Sequence, residues 1–354
     1  MKEMKEKVQE YYGKVLKGSA DLKTSACCTN EELPPHVRPI LPRIHEEVSG
    51  RYYGCGLVLP DSLEGCTVLD LGCGAGRDLF ILSSLVGPSG RAIGVDMTLE
   101  QLDVARKYQE YHRQAFGHPE SNVHILEGEI EELEGLGIPA ASVDVVVSNC
   151  VVNLVENKRR VFEGVARVLK PGGEFYFSDV YADRRVPEEL RADEVLYGEC
   201  LSGALYWNDF LSVARSVGFG DPRLVESRTL TVDDPELARR TKPVRFFSAT
   251  CRLFGIEGLE PVCEDYGQAV RYRGTIPFHA NLFRLDDHHI FESGRIVPVC
   301  GNTFRMLRES RFGKEFDFYG DFDRHFGVFP GCGASLPEAA GEDGGRPDRP
   351  DSCC

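Results

Sequence analysis

Val68-Leu69-Asp70-Leu71-Gly72-Cys73-Gly74-Ala75-Gly76-Arg77 is the stretch on which the fold turns. Val68, Leu69 and Leu71 read as a buried strand, and Gly72, Gly74 and Gly76 follow at once. From Arg77 to Val86 the pattern is helical. Strand, glycine turn and helix make the opening unit of a nucleotide-binding α/β domain. The glycines let the main chain bend sharply and approach a ligand that a Cβ would push away. Asp70 precedes the turn on its strand, and a second strand, Arg91 to Val95, ends in Asp96. A carboxylate at that point can accept hydrogen bonds from both hydroxyls of a ribose.

The alternation continues outward from this unit. A helix is expected from about Leu99 to Phe116, a strand from Val123 to Leu126, and a strand from Val143 to Val147 that ends at Ser148-Asn149-Cys150. A helix from about Lys158 to Leu169, a turn at Pro171-Gly172-Gly173 and a strand from Glu174 to Ser178 come next. Such alternation predicts a mostly parallel sheet with helices on both faces. Ligands of these sheets bind outside the carboxyl ends of the strands. Here those ends are Gly72 to Gly76, Asp96, Gly128 to Glu131, and Asn149-Cys150. Trp207 to Val217 reads as a further helix, and from Arg223 the texture becomes strand-rich. The expected divisions are an N-terminal helix and cysteine-bearing lid loop (1–58), the α/β domain (59–218), a smaller antiparallel α+β domain (219–304), a C-terminal segment (305–336) and a disordered tail (337–354).

Composition bounds the function. Net charge is −15 over 354 residues with no basic run, which argues against nucleic acid as a partner. No apolar stretch reaches the roughly 18 residues of a membrane span. The first residues, Met1-Lys-Glu-Met-Lys-Glu-Lys7, lack the apolar core of a signal peptide, so a cytoplasmic, reducing setting with free thiols is expected. Thirteen cysteines are many for such a protein. No Cys-x-x-Cys pair occurs, which disfavours zinc knuckles and thioredoxin-type redox motifs. His45 and the pair His288-His289 lack partnered ligands at diagnostic spacing and read as surface residues.

Four local texts carry five of these cysteines: Lys23-Thr-Ser-Ala-Cys-Cys28, Tyr52-Tyr-Gly-Cys-Gly56, Ser148-Asn-Cys-Val-Val-Asn-Leu154 and Gly198-Glu-Cys-Leu-Ser-Gly-Ala-Leu-Tyr206. With the glycine motif, they make the chain resemble the arsenite methyltransferases, and the animal-type enzymes most of all, from the N-terminal helix to about Phe318. The resemblance implies a Rossmann-like class I methyltransferase fold, S-adenosylmethionine (SAM) as cofactor, and methylation of trivalent arsenic to mono- and dimethylated products in arsenic detoxification. It implies Cys150 and Cys200 as the more permanent arsenic ligands, Cys55 as the third, and Cys27 in binding and disulfide exchange with Cys55. Cys28, beside Cys27, leaves their division of labour open. Toward SAM the resemblance implies Asp70, Gly72, Gly74 and Gly76 at the methionine end, and Asp96 at the ribose with Met97 beside the adenine. It implies Ile130 and Glu131 at the adenine edge, Asn149 and Val151 flanking the crevice, and Tyr53 near the sulfonium. Arsenite or its glutathione conjugates are the implied substrates and thioredoxin or glutathione the implied reductants. The chain is expected to act as a monomer.

Chemistry and residue type agree. Trivalent arsenic is soft and prefers thiolates to carboxylates or imidazoles. Held by three sulfurs, it keeps a lone pair that can attack a sulfonium methyl, so the protein's task is mainly positioning. Cys66, Cys73, Cys251, Cys263 and Cys300 read as small buried hydrophobes. Two other readings compete. A carbon methyltransferase of the quinone or sterol kind leaves the placed cysteines unexplained. A non-catalytic, thiol-based arsenic-binding protein would not need the intact Asp70, glycine triplet and Asp96.

Overall fold

The computed structural model describes residues 34–329 apart from 53–55, 192, 194–195, 198–199 and 233–234. The expected N-terminal helix and acidic tail, and with them Cys27, Cys28, Tyr53 and Cys55, lie outside the described residues.

The stretch around Asp70 forms β1 (Thr67–Leu71), the glycine turn and helix α1 (Arg77–Val86). Then follow β2 (Arg91–Asp96), α2 (Leu99–Phe116), β3 (Val123–Glu127), β4 (Val143–Asn149), α3 (Lys158–Val168) and β5 (Leu169–Ala182). These five strands are parallel, in the spatial order β3-β2-β1-β4-β5. The order reverses between β1 and β4, so the crevice of the switch point opens at Leu71 and Asn149. The expected turn at 171–173 lies inside the long β5, where the pairing with β4 slips between Val143 and Val145. One face of the sheet packs Leu69, Leu71 and Val146 with Phe162 of α3 and Trp207 and Phe210 of α4 (Trp207–Ser216). The other buries Leu79 and Phe80 of α1 and Leu102 of α2 under Val37, Ile40, Ile44 and Val48.

The main sheet runs on past the expected division at 218/219. The short β6 (Leu205–Tyr206) pairs with the end of β5. Strands β7 (Arg223–Thr229) and β8 (Phe246–Phe254) are antiparallel, as their texture suggested, yet they extend the main sheet: β8 pairs with β5 and β7 with β8. The reason is burial. Every residue of β8 is buried, as a strand flanked on both edges and covered on both faces must be.

A separate antiparallel region begins after Phe254. Its strands are β9 (Glu264–Asp265), β10 (Gln268–Tyr272), β11 (Leu282–Arg284), β12 (Ile290–Glu292), β13 (Ile296–Val299), β14 (Phe316–Tyr319) and β15 (Gly327–Val328). β10 is the centre of a three-stranded sheet between β13 and β14; β11 pairs with β12 and β9 with β15. Across the expected division at 304/305, β14 pairs with β10. Helix α5 (Gly301–Arg308) closes the core with Phe304, Met306 and Leu307.

Buried charges join this region to the main sheet. Arg223 of β7 meets Asp221 at 2.6 Å and Asp286 at 3.1 Å, and Asp286 lies 2.7 Å from His289 Nδ1. His289 is therefore a core residue, which corrects the surface reading. Its partners are 3 to 66 positions away in sequence, so no local spacing announces them. A second junction pairs fully buried Glu174 with Arg252 at 2.5 Å and with Arg311. Among the described residues no helix is long and apolar enough to cross a membrane.

Candidate active site

The crevice beyond β1, β2 and β4 is a cleft enclosing about 1010 Å³ of space, open solvent included. Asp70, Gly72, Gly74, Asp96, Met97, Ile130, Glu131, Asn149, Cys150 and Val151 all line it. Four separate loops supply them, and the sheet register brings the loops together: Asp70 lies opposite Val147 on one side and Gly94 on the other.

The three glycines act differently. Gly72 has φ 76°, and a Cβ there would sit 2.4 Å from Val151 Cγ2. Gly74, at φ 52°, faces open space: a Cβ added there would meet nothing within 4 Å. Gly76, expected at the methionine end, stands one step back from the residues that line the cleft. It is the N-cap of α1 at φ 91°, and a Cβ there would press to 2.9 Å from the Phe80 ring, so its need for glycine comes from helix packing.

Five carboxylates line the cleft beside Arg51 and Arg77, and two of them, Asp78 and Asp96, act on a third, Asp70. Asp70 is 4% exposed, and its Oδ2 has no hydrogen-bond partner among the described residues. Burial, then Asp78 and Asp96, push its pKa well above the usual carboxylate range. Asp96 accepts the Gly74 N–H at 2.9 Å on Oδ2 and the Thr98 N–H at 2.8 Å on Oδ1, so it braces the glycine turn and keeps lone pairs for a ligand. Burial raises Asp96 and Asp78 as well. A buried carboxylate with an unbonded oxygen beside two more carboxylates is stabilised by a cation. SAM, with a sulfonium and an ammonium, fits this donor set.

Residues that the motif reading missed complete the wall. Tyr52, Arg77 and Asp78 line the cleft. Asn149 Nδ2 donates to Tyr52 Oη at 2.8 Å, to the Gly56 carbonyl at 2.8 Å and toward Asp78 Oδ2 at 3.1 Å. The Arg77 guanidinium lies 3.5 Å from the centre of the Tyr52 ring, a cation–π contact. Asn149 thus fastens the segment around Gly56 to the end of β4. A signal existed for Asp78 alone: an acidic residue in the first turn of the helix that follows the glycines.

Among the described residues the cysteines fall into two groups. Cys150 and Cys200 are brought together: the Cys200 thiol donates to the Cys150 carbonyl at 3.3 Å. Both are buried and both hold positive φ, 56° and 62°. Non-glycine residues seldom adopt that region and are enriched there at functional sites, although Ser62, Ala141 and Phe278 also hold it, away from the cleft. Cys150 is disulfide-bonded, a departure from the expectation of free thiols, and in that state it is no thiolate ligand. Cys66, Cys73 and Cys251 are free thiols, and they are buried, as are Cys263 and Cys300. Cys73 lines the cleft, but burial and then Asp96 and Asp70 hold it well above the usual thiol range, so it stays neutral.

Residues 62–218 match the family model of a methyltransferase domain, and residues 266–328 match that of the arsenite methyltransferase C-terminal domain. The arsenite methyltransferase of Aquipseudomonas alcaligenes is 59% identical over 334 residues, covering 94% of this chain and 96% of that one. The human arsenite methyltransferase is 47% identical over 317 residues, 89% of this chain and 83% of that one, so the likeness to animal enzymes is shared with a bacterial one. The crystal structure of an arsenic(III) S-adenosylmethionine methyltransferase from Chlamydomonas reinhardtii matches with a TM-score of 0.82 at 46% identity, covering 84% of this chain and 100% of that one. By its sequence along nearly its whole length and by its fold, the chain belongs to the arsenite methyltransferase family.

Proposed function

We propose that this protein methylates trivalent arsenic with SAM, holding the metalloid on Cys150, Cys200 and Cys55 at the mouth of the cleft. SAM supplies a methyl group made electrophilic by its sulfonium. Asp70 would take the ammonium, Asp96 the ribose, and Met97, Ile130 and Glu131 the adenine side. Asn149, Val151 and Tyr52 close the remaining wall, and Tyr53 would contact the sulfonium. The observation that carries this reading is that Cys150 is at once part of the cleft wall and within hydrogen-bond reach of Cys200. A soft atom bridging these two sulfurs would lie next to the methyl-bearing end.

Bound SAM would supply its methyl carbon to the arsenic lone pair and leave as S-adenosylhomocysteine, its sulfur keeping the electrons of the broken sulfur–methyl bond. Arsenic is thereby oxidised from the trivalent to the pentavalent state. A dithiol closing to a disulfide returns two electrons, and thioredoxin or glutathione reopens it. In this reading Cys27 exchanges disulfides with Cys55, and Cys150 must be reduced before it binds arsenic. The setting is the cytoplasm, the unit a monomer, the substrate arsenite or its glutathione conjugate, and the benefit arsenic detoxification.

The test is release of S-adenosylhomocysteine from the full chain on adding arsenite. With a thiol reductant present, stoichiometric methylarsenical and S-adenosylhomocysteine are expected; without reductant, the rate should fall at least tenfold. Arsenic binding without any S-adenosylhomocysteine would leave a sequestering protein instead. Release unaffected by Cys150→Ser or Cys200→Ser would remove the ligand assignment.

A further inference from the structure

Three residues beyond Cys150 stands Asn153, 3% exposed, in the 3-10 turn Val152–Leu154. Its backbone N–H donates to Asp179 Oδ2 at 3.0 Å, and Asp179 Oδ1 takes the Val180 N–H at 2.8 Å. Asp179 is 1% exposed and follows Ser178, whose carbonyl accepts the Cys150 N–H at 2.9 Å. The carboxylate therefore fastens the turn to β5 beside the point where Cys150 itself is fastened. The Asn153 side chain makes a second set of bonds. Its Nδ2 donates to the Val180 carbonyl at 2.5 Å and toward the Cys200 carbonyl at 3.4 Å.

The loop that carries Cys200 is seated on this turn at further points. A Cβ on Gly203 would lie 2.1 Å from the Asn153 carbonyl oxygen, so the loop touches the turn where only glycine fits. The Tyr197 hydroxyl donates to the Leu154 carbonyl at 2.7 Å. The half-buried ammonium of Lys158 caps the same turn, 3.3 Å from the Asn153 carbonyl and 2.9 Å from the Val155 carbonyl. The two cysteines thus share one scaffold, although 50 positions separate them.

We infer that Asn153 is a positioning residue that sets the separation of the Cys150 and Cys200 sulfurs, and so the bite offered to a trivalent arsenical. The inference rests on the arsenic-ligand reading above. The physical ground is that a pyramidal arsenic with short bonds to two sulfurs tolerates only a narrow sulfur–sulfur distance. A thiol on a loop free to drift binds one sulfur at a time. The amide of Asn153 reaches from the Cys150 turn to the Cys200 main chain. Because it acts through Cys200, its loss should separate two-thiol binding from every other property of the fold.

The test uses the full chain, reduced with a phosphine, and phenylarsine oxide, an arsenical that needs two thiols at once. Wild type should bind it tightly, and Cys150→Ser or Cys200→Ser should weaken binding at least tenfold; unchanged affinity in both would sink the ligand reading itself. Asn153→Asp keeps the shape but turns the donor toward two carbonyls into an acceptor. In this variant, phenylarsine oxide affinity should fall at least tenfold, SAM affinity should stay within twofold, and iodoacetamide should alkylate Cys200 faster. Gly203→Ala, which lifts the loop from the same turn without touching the Asn153 side chain, should give the same split and carries the test if Asn153→Asp does not fold. Unchanged phenylarsine oxide affinity in a variant that still binds SAM overturns the inference. Parallel loss of SAM and arsenical binding in both variants overturns it equally, because the residue would then serve the fold alone.

Discussion

Cys200 bears a local cost for its place: at φ 62° a side chain meets the following carbonyl, a strain of roughly 1–2 kcal/mol for residues other than glycine. Cys200→Gly should therefore be about 1 kcal/mol more stable to urea than Cys200→Ala, while neither methylates arsenic and both still bind SAM. Equal stability of the two would show that the surrounding loop relaxes. Asp70 invites a similar comparison. Its pKa is raised by burial and by Asp78 and Asp96, so the folded state holds its proton more tightly than the unfolded chain does. Without ligand, stability falls as pH rises from the ordinary value of 3.8 toward the folded one, and the penalty persists above it. Asp70→Asn should melt higher than wild type at pH 7 in the absence of SAM, yet bind SAM at least tenfold more weakly by calorimetry. A variant that melts lower and binds SAM normally would contradict both halves.

At the scale of elements, the cofactor turn and the sulfur-bearing turn are one packing unit. The space a Cβ would need at Gly72 is filled by Val151, the residue after Cys150. Gly72→Ala should therefore displace the Cys150 turn as well as the glycine turn. Its positive φ adds strain of roughly 1–2 kcal/mol. SAM affinity and phenylarsine oxide affinity should fall together, each at least tenfold. Gly74→Ala, whose Cβ meets nothing within 4 Å, should affect SAM alone. Helix α1 shows the complementary case: Gly76 belongs to the motif by spacing but to the Phe80 contact by function. Spacing identifies a turn; only packing says which of its residues faces the ligand.

Across the whole molecule, the antiparallel region is tied to the front of the α/β sheet by ion pairs as well as by apolar packing. His279 lies 2.8 Å from Asp61 in the segment that leads into β1. The Asp61 carboxylate raises the His279 pKa above 6.5. Burial would raise Asp61, but His279, Arg252 and Arg311 outweigh it and hold Asp61 below 3.8. The histidine's contribution is complete below 6.5 and is lost as pH climbs through its higher folded value. The aspartate's is complete above 3.8 and is lost as pH falls through its lower one. Wild type should therefore lose part of its urea resistance as pH climbs above 6.5, and His279→Gln should flatten that limb; both side chains are partly exposed, so the change is small. An identical pH profile in the variant would exclude the pair as a contributor.

The sequence by itself determined the α/β core, the glycine turn, the acidic ends of β1 and β2, and the placement of Cys150 at the end of β4. All of these are local: a strand's burial, a turn's need for glycine and a helix's start are written in neighbouring residues. It also carried the four cysteine texts through which the family is legible. Only the tertiary structure decided that β7 and β8 belong to the main sheet, that His289 is buried, and that Gly76 faces a phenylalanine. Only it could show that Asn149 holds Tyr52 and that Asn153 reaches Cys200. Each of those facts joins elements whose pairing depends on which surfaces meet once the sheet has formed, information that no local pattern of residue types contains.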